Sequence, residues 1–180
     1  MKIAFFDIET TDLKALMGRV LSCAILPLDG DEATVIRADD TKYKGRSKID
    51  DSKVVKAIRE ELNKYNMVVG WNSKMFDVPF INARLSKHGE HPVEPQFHLD
   101  LMWYAKGASM RIGSARLDNV QKFLTPGNHA KTPISWEKWQ LASTFDKEAM
   151  DEVIEHNVAD VFVTRDVYHH LLPYVKNIHR

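Results

Sequence analysis

Residues 2–12 read KIAFFDIETTD, and this stretch decides the fold. Lys2 to Ile8 is an apolar, aromatic-rich run without polar alternation, the pattern of a central strand covered on both faces. Side chains alternate along a strand, so Ile3, Phe5, Asp7 and Glu9 share one face. The two carboxylates then stand about 7 Å apart where core residues are expected. Adjacent anions at the margin of a core are costly without compensating charge, which points to a cation between them. A strand that ends at Phe6 and leaves both acids in solvent is the competing reading. A D-x-E triplet alone is weak; its position at the end of a buried run strengthens it.

Outward from this strand, Arg19 to Leu28 and Ala33 to Arg37 are two further β-rich runs separated by a turn sequence around Gly30, which predicts a three-stranded antiparallel meander. Asp39 to Asp51 is polar and reads as a loop. Asp51-Ser52 caps an expected helix through Tyr65, with Val54, Val55, Ile58 and Leu62 at helical spacing. Met67 to Trp71 is a short strand, and a helix starts near Asp77 with Pro79 tolerated in its first turn. A short segment around His98 to Met102, a helix from Ser114 to Leu124 and a Pro/Gly loop from Thr125 to Pro133 follow. Asp146 to about Leu172 has no interior Gly or Pro and predicts one long helix stopped at Pro173. Antiparallel strands followed by alternating strands and helices imply an α/β fold, a mixed sheet flanked by helices.

Composition limits the function. A chain of 180 residues with 44% hydrophobic side chains is long enough to bury a core without staples. One cysteine, Cys23 in an apolar stretch, excludes a disulfide framework and a thiolate metal site, and a reducing, intracellular setting is expected. Equal numbers of basic and acidic residues, 25 each, exclude a body that grips nucleic acid by overall charge, so any such contact is local or supplied by cations. The longest apolar runs fall short of the ~20 residues of a bilayer span, and two early carboxylates exclude a signal-peptide core.

The terminal helix repeats the anomaly of the first strand. Val153, His156, Asp160, Val163 and Val167 form one stripe, and two members of it are ionisable. His156 and Asp160, four residues apart, project side by side; a surface His–Asp contact is the competing reading. A third block, Val68 to Asp77 (VVGWNSKMFD), reads as a strand, a tight turn and a helix start. In it Asp77 is a candidate helix cap or ligand, and Asn72 a turn former or a donor to a phosphate or base. Acids from these elements with one imidazole make an oxygen-rich pocket suited to Mg²⁺ or Mn²⁺ rather than zinc. A pair of such ions is the arrangement that cleaves phosphodiesters.

Asp7-Ile8-Glu9-Thr10-Thr11, then Gly70-Trp71-Asn72 to Phe76-Asp77, then His156 to Asp160 resemble the three motifs of the DEDD superfamily of 3′–5′ exonucleases, which have a ribonuclease-H-like fold. GWNSKMFDVPFI and SARLDNVQKFL look most like the proofreading exonuclease domain of family B DNA polymerases, and the resemblance runs from Asp7 to Tyr168. It implies a ribonuclease-H-like five-stranded sheet, three antiparallel strands and then parallel ones, and a single exonuclease domain over residues 1–180. It implies Asp7, Glu9 and Asp160 as ligands of two Mg²⁺ or Mn²⁺ ions, Asp77 as a ligand of the second through water, and His156 as the residue that orients or deprotonates the attacking water. One departure stands out: family B exonucleases carry a Tyr at this spacing, with three intervening residues before the last Asp, whereas the His branch has four. Glu155 occupies the His-branch position and is the weaker candidate base.

Ile8, Thr10, Trp71, Asn72 and Phe76 neighbour the ligands and are the candidate contacts to a terminal nucleotide, with Trp71 or Phe76 stacking a base or filling the core. Lys74, Arg111, Arg116 and Lys131 are candidates for backbone contacts or ordinary surface charges. His98 and Asp100 resemble polar residues of related exonucleases, but their spacing alone assigns no role. The resulting expectation is a two-metal 3′–5′ exonuclease on single-stranded or frayed DNA ends. Its nucleic-acid substrate, and a separate DNA polymerase or replication protein as partner, are implied by the resemblance, as are replication and repair. The alternatives are an exoribonuclease with the same site and a catalytically silent module that binds nucleic acid or a polymerase.

Overall fold

Each strand sits where its side chains can be covered. In the computed structural model, which describes residues 1–107, 110–126 and 133–176, a five-stranded sheet has the order β3-β2-β1-β4-β5. The strands are β1 (Ile3–Thr10), β2 (Val20–Pro27), β3 (Thr34–Arg37), β4 (Met67–Gly70) and β5 (Phe97–Asp100). β1 to β3 form the antiparallel meander, and β4 and β5 are parallel to β1. The mixed sheet expected from the sequence is therefore present, and β1 is its middle strand. β1 continues through both acids to Thr10, so the reading that ends it at Phe6 is wrong; Asp7 lies opposite Ala24 and Glu9 opposite Ser22, with a register shift between Glu9 and Thr10.

Alternation along β1 divides the interior in two. Ala4, Phe6 and Ile8 pack with α1 (Ser52–Leu62) and α2 (Asp77–Lys87) through Val55, Ile58, Phe80, Ile81 and Leu85. Phe5, on the face that also carries Asp7 and Glu9, packs with α3 (Leu101–Lys106), α4 (Leu117–Leu124) and α6 (Lys147–Leu171) through Leu101, Val120, Val161 and Val167. A smaller cluster of Leu21, Ala142, Met150 and Val153 seats α5 (Trp136–Ser143) against the start of α6. Each fully buried Val, Leu or Phe contributes about 1.5–3 kcal/mol, so α6, which buries Val153, Val161, Val163, Val167 and Leu171, is held mainly by this face. Asp146 caps it through the Ala149 N–H, and Pro173 falls in a single 3-10 turn, Leu172–Tyr174, at its end.

Several local expectations are corrected. Asp51 precedes α1 but makes no capping bond; its buried carboxylate turns inward to accept from the Val20 N–H and a two-point contact from Arg84, with His88 at 2.8 Å. Pairing with a buried guanidinium outweighs one cap. α1 stops at Leu62 rather than Tyr65, and α4 starts at Leu117 rather than Ser114, whose hydroxyl accepts from the Arg116 N–H ahead of the helix. The segment around His98 divides into β5 and α3, with the Asp100 carboxylate capping the helix through the Met102 N–H. α5 was not anticipated: Ser135 caps it through Lys138 after Pro133. Most of the expected Thr125–Pro133 loop, including Lys131, lies outside the described residues.

Candidate active site

β1 outruns its parallel neighbour. β4 pairs with it only from Ile3 to Phe5, so Asp7 and Glu9 lie beyond the end of β4, on the face where α6 crosses. Across them α6 presents His156 and Asp160, both buried. His156 Nε2 is 3.9 Å from Glu9 Oε1 and 3.8 Å from Asp160 Oδ2, and ligand atoms of Glu9, His156 and Asp160 all lie within 4.8 Å of one another. Asp7 is tied to the same helix: the wholly buried Asn157 donates from Nδ2 to Asp7 Oδ2 at 2.8 Å and to the Asp7 carbonyl at 3.1 Å.

Asp77 approaches from the other side of β1. It opens α2 without capping it; its Oδ1 accepts from the Ile8 N–H at 3.1 Å, so the expected cap is replaced by a bond to β1. Burial pushes its carboxyl up to about 7, the N–H groups of Ile8 and of its own backbone draw it back, and the charge of Asp100 adds to the rise. The turn before it needs close approach. A Cβ at Gly70 would fall 2.5 Å from the Ser73 side chain, and Asn72 adopts a positive φ of 60°, which Asn tolerates better than most residues. Asp100 fastens this turn by accepting from the backbone N–H groups of Asn72 and Lys74. Ser73 Oγ meets His98 Nε2 at 2.8 Å, and burial drives that imidazole down to about 4, helped by the charge of Lys74. His98 and Asp100 thus support the turn.

Two open grooves meet the acids. A cleft of about 880 Å³ is lined by Asp7, Asp160, Trp71, Asn72, Arg116 and Lys122, among others. A second groove of about 850 Å³ runs past Glu9, Ile8 and Thr10 and is walled by Leu13, Phe76, Trp136 and Trp139, among others. Trp71 is held by its indole N–H, which donates to the Ala115 carbonyl at 2.9 Å.

A family model, RNase_H_2 of the RNase_H superfamily, matches residues 4–172. The chain belongs to the RNase H superfamily. Among solved structures, this superfamily member is similar to the family B DNA polymerase from the hyperthermophilic archaeon Pyrobaculum calidifontis, with a TM-score of 0.71 and 19% identity over 96% of the chain. The chain spans 25% of that polymerase, and at this identity the likeness is one of fold. Comparison with curated protein sequences found no match. The sheet and helices are those of the ribonuclease-H-like nucleases, and among the described residues no helix is long and apolar enough to cross a membrane.

Against this superfamily fold the sequence-predicted residues fall into groups. Glu9, His156 and Asp160 converge; Asp7 shares the cleft with Asp160 and a helix partner with them. Asp77 contacts β1 through Ile8 rather than through the converging trio. Glu155 is exposed, whereas its neighbour His156 faces the acids. Trp71 and Asn72 line one groove, and Ile8, Thr10 and Phe76 the other, although the Ile8 side chain also belongs to the core on the opposite sheet face. Arg116 lines the cleft, Lys74 Nζ sits 5.9 Å from the Trp103 ring centre, and Arg111 is an exposed residue with a φ of 47°. Sequence reasoning missed Asn157, the groove wall from α5, and Asp51 with Arg84. A polar residue next to His156 on the buried side of α6 was the one available signal for Asn157.

Proposed function

We propose that the chain is a metal-dependent 3′–5′ exonuclease that hydrolyses phosphodiester bonds at single-stranded or frayed DNA ends and releases nucleoside 5′-monophosphates. The observation that carries the proposal is the gathering of Glu9, His156 and Asp160 within 4.8 Å, from a strand and a helix 147 or more residues apart in sequence, beside an Asp7 that shares a cleft with Asp160. Packed acids of this kind are tolerable when cations neutralise them.

The donor set fits Mg²⁺ or Mn²⁺: carboxylate oxygens predominate, with a single imidazole. Asp7, Glu9 and Asp160 would hold the ions, with Asp77 reaching the second through water. When bound, a pair of such ions supplies positive charge to the attacked phosphate and its leaving oxygen and lowers the proton affinity of water. His156, buried beside Glu9 and Asp160, orients the attacking water and takes up its proton. Trp71 and Asn72 in one groove and Thr10 and Phe76 in the other provide stacking faces and polar groups for the terminal nucleotides. Arg116 and Lys106 line the cleft and offer local positive charge there, while Lys122 at its edge is paired with Asp118 at 2.8 Å.

The test is digestion of 3′-labelled and 5′-labelled strands, DNA beside RNA, with Mg²⁺, Mn²⁺ or chelator. Stepwise loss from the 3′ end of DNA, absent with chelator, is expected. Faster degradation of RNA would move the assignment to an exoribonuclease. No degradation of either, with cation bound, would reduce the chain to a binding module, such as one that accompanies a polymerase.

A further inference from the structure

Asn157 lies within the third motif, where the resemblance assigns it no role, yet its amide holds Asp7, one of the proposed cation ligands. It is wholly buried. Nδ2 donates to Asp7 Oδ2 at 2.8 Å and to the Asp7 carbonyl oxygen at 3.1 Å, while Oδ1 accepts from Ser22 Oγ at 3.0 Å. The amide can face only this way, because the reverse orientation would set its oxygen against two acceptor oxygens. Ser22 is on β2 directly across from Glu9. One side chain of α6 therefore bridges the two strands that frame the acids.

We infer that Asn157 is a positioning residue that sets the orientation of the Asp7 carboxylate for divalent cations and fixes α6, with His156 and Asp160, at its distance from β1. The inference deepens the nuclease reading and rests on it. A carboxylate is planar, so holding Oδ2 on the amide also fixes the direction of Oδ1. Holding the Asp7 carbonyl with the same nitrogen prevents the side chain and its strand from moving separately. Along the helix, Asn157 follows His156 by one residue and precedes Asp160 by three, so any slide of α6 that broke the amide contact would carry both of those residues with it.

The experiment measures Mn²⁺ and Mg²⁺ binding by calorimetry, and the cation dependence of oligonucleotide digestion, for the parent chain, Asn157→Ala, Asn157→Asp, Ser22→Ala and Asp7→Asn. Losing a group that orients a metal ligand typically costs about 10–100-fold in metal affinity or activity. Asn157→Ala and the isosteric Asn157→Asp are expected to raise the cation concentration for half-saturation by about that factor, with much of the rate recovered at high cation and the oligonucleotide KM unchanged. Ser22→Ala, which removes only the group that aims the amide, is expected to shift the same curve in the same direction by less, and it serves if the Asn157 variants do not fold. Folded variants that bind and respond to cation like the parent, with only their unfolding midpoints lowered, would overturn the inference and leave a packing role. If the parent chain with bound cation digests no DNA, the nuclease reading falls; if Asp7→Asn digests DNA normally, Asp7 is no ligand and the positioning role falls with it; if Asp7→Asn is inactive while the Asn157 and Ser22 variants match the parent, the nuclease reading stands and the positioning role alone falls.

Discussion

Asp77→Asn, studied without divalent cation, separates the cost of burying a carboxylate from its use. The side chain is 3% exposed, and burial raises its carboxyl from an ordinary 3.8 to about 7. The folded state thus retains a proton that the unfolded state has released. Stability present at low pH is lost as pH rises from about 4 to about 7 and changes little above that. At about 1.4 kcal/mol per tenfold change in proton affinity, the full penalty approaches roughly 4 kcal/mol, of which about 2–3 kcal/mol falls between pH 5 and pH 8. Asparagine keeps the shape and can still accept from the Ile8 N–H but does not titrate, so any packing cost of the amide is the same at every pH. Urea unfolding of both proteins in chelator at about pH 5 and pH 8 should show the wild type losing about 2–3 kcal/mol relative to the variant. Mg²⁺ or Mn²⁺ should narrow the gap at the higher pH by favouring the ionised carboxylate. Parallel stability curves for the two proteins would refute the argument.

His98 should act in the opposite sense: its folded value of about 4 lies below the ordinary 6.5, so stability is lost as pH falls from about 6.5 to about 4, by up to about 3 kcal/mol. Urea titrations of His98→Gln should lack this loss. Removing one partner of the buried Asp51–Arg84 pair, 2.8 Å apart, should be severe; Asp51→Ala is expected to lower unfolding free energy by about 3–5 kcal/mol, and a loss below 1 kcal/mol would show the pair to be dispensable. Saturating Mn²⁺, at about a hundred times its dissociation constant, should stabilise the wild type by about 2.7 kcal/mol, and Asp160→Asn should abolish most of this gain together with digestion. Thermal melts with cation and with chelator test it.

Much of the fold was legible because burial leaves a period in the chain. The unbroken apolar run before Asp7 marked the middle strand, and the Val153–Val167 stripe marked the buried side of the last helix. Ionisable residues interrupting those two patterns were visible as misfits, which is why Asp7, Glu9, His156 and Asp160 stood out. The polar residues that serve the interior without interrupting a run were not. Asp51 reads as a helix cap, since nothing local announces that it meets Arg84 across 33 residues. Asn157 was hidden beside a more conspicuous histidine, and its partners Asp7 and Ser22 lie 150 and 135 residues away. α5 is short, and its tryptophans face a groove, so it carries little amphipathic signal. Contacts made only by tertiary assembly leave no trace in spacing.

The order in which α6 joins the sheet has a consequence for synthesis. His156, Asn157 and Asp160 all follow residue 146, behind every strand, so a nascent chain emerging from the ribosome exposes Asp7 and Glu9 long before their counterparts exist. Any chemistry that draws on both sets of residues, the proposed nuclease reaction included, is withheld until translation has passed α6 and the helix has docked.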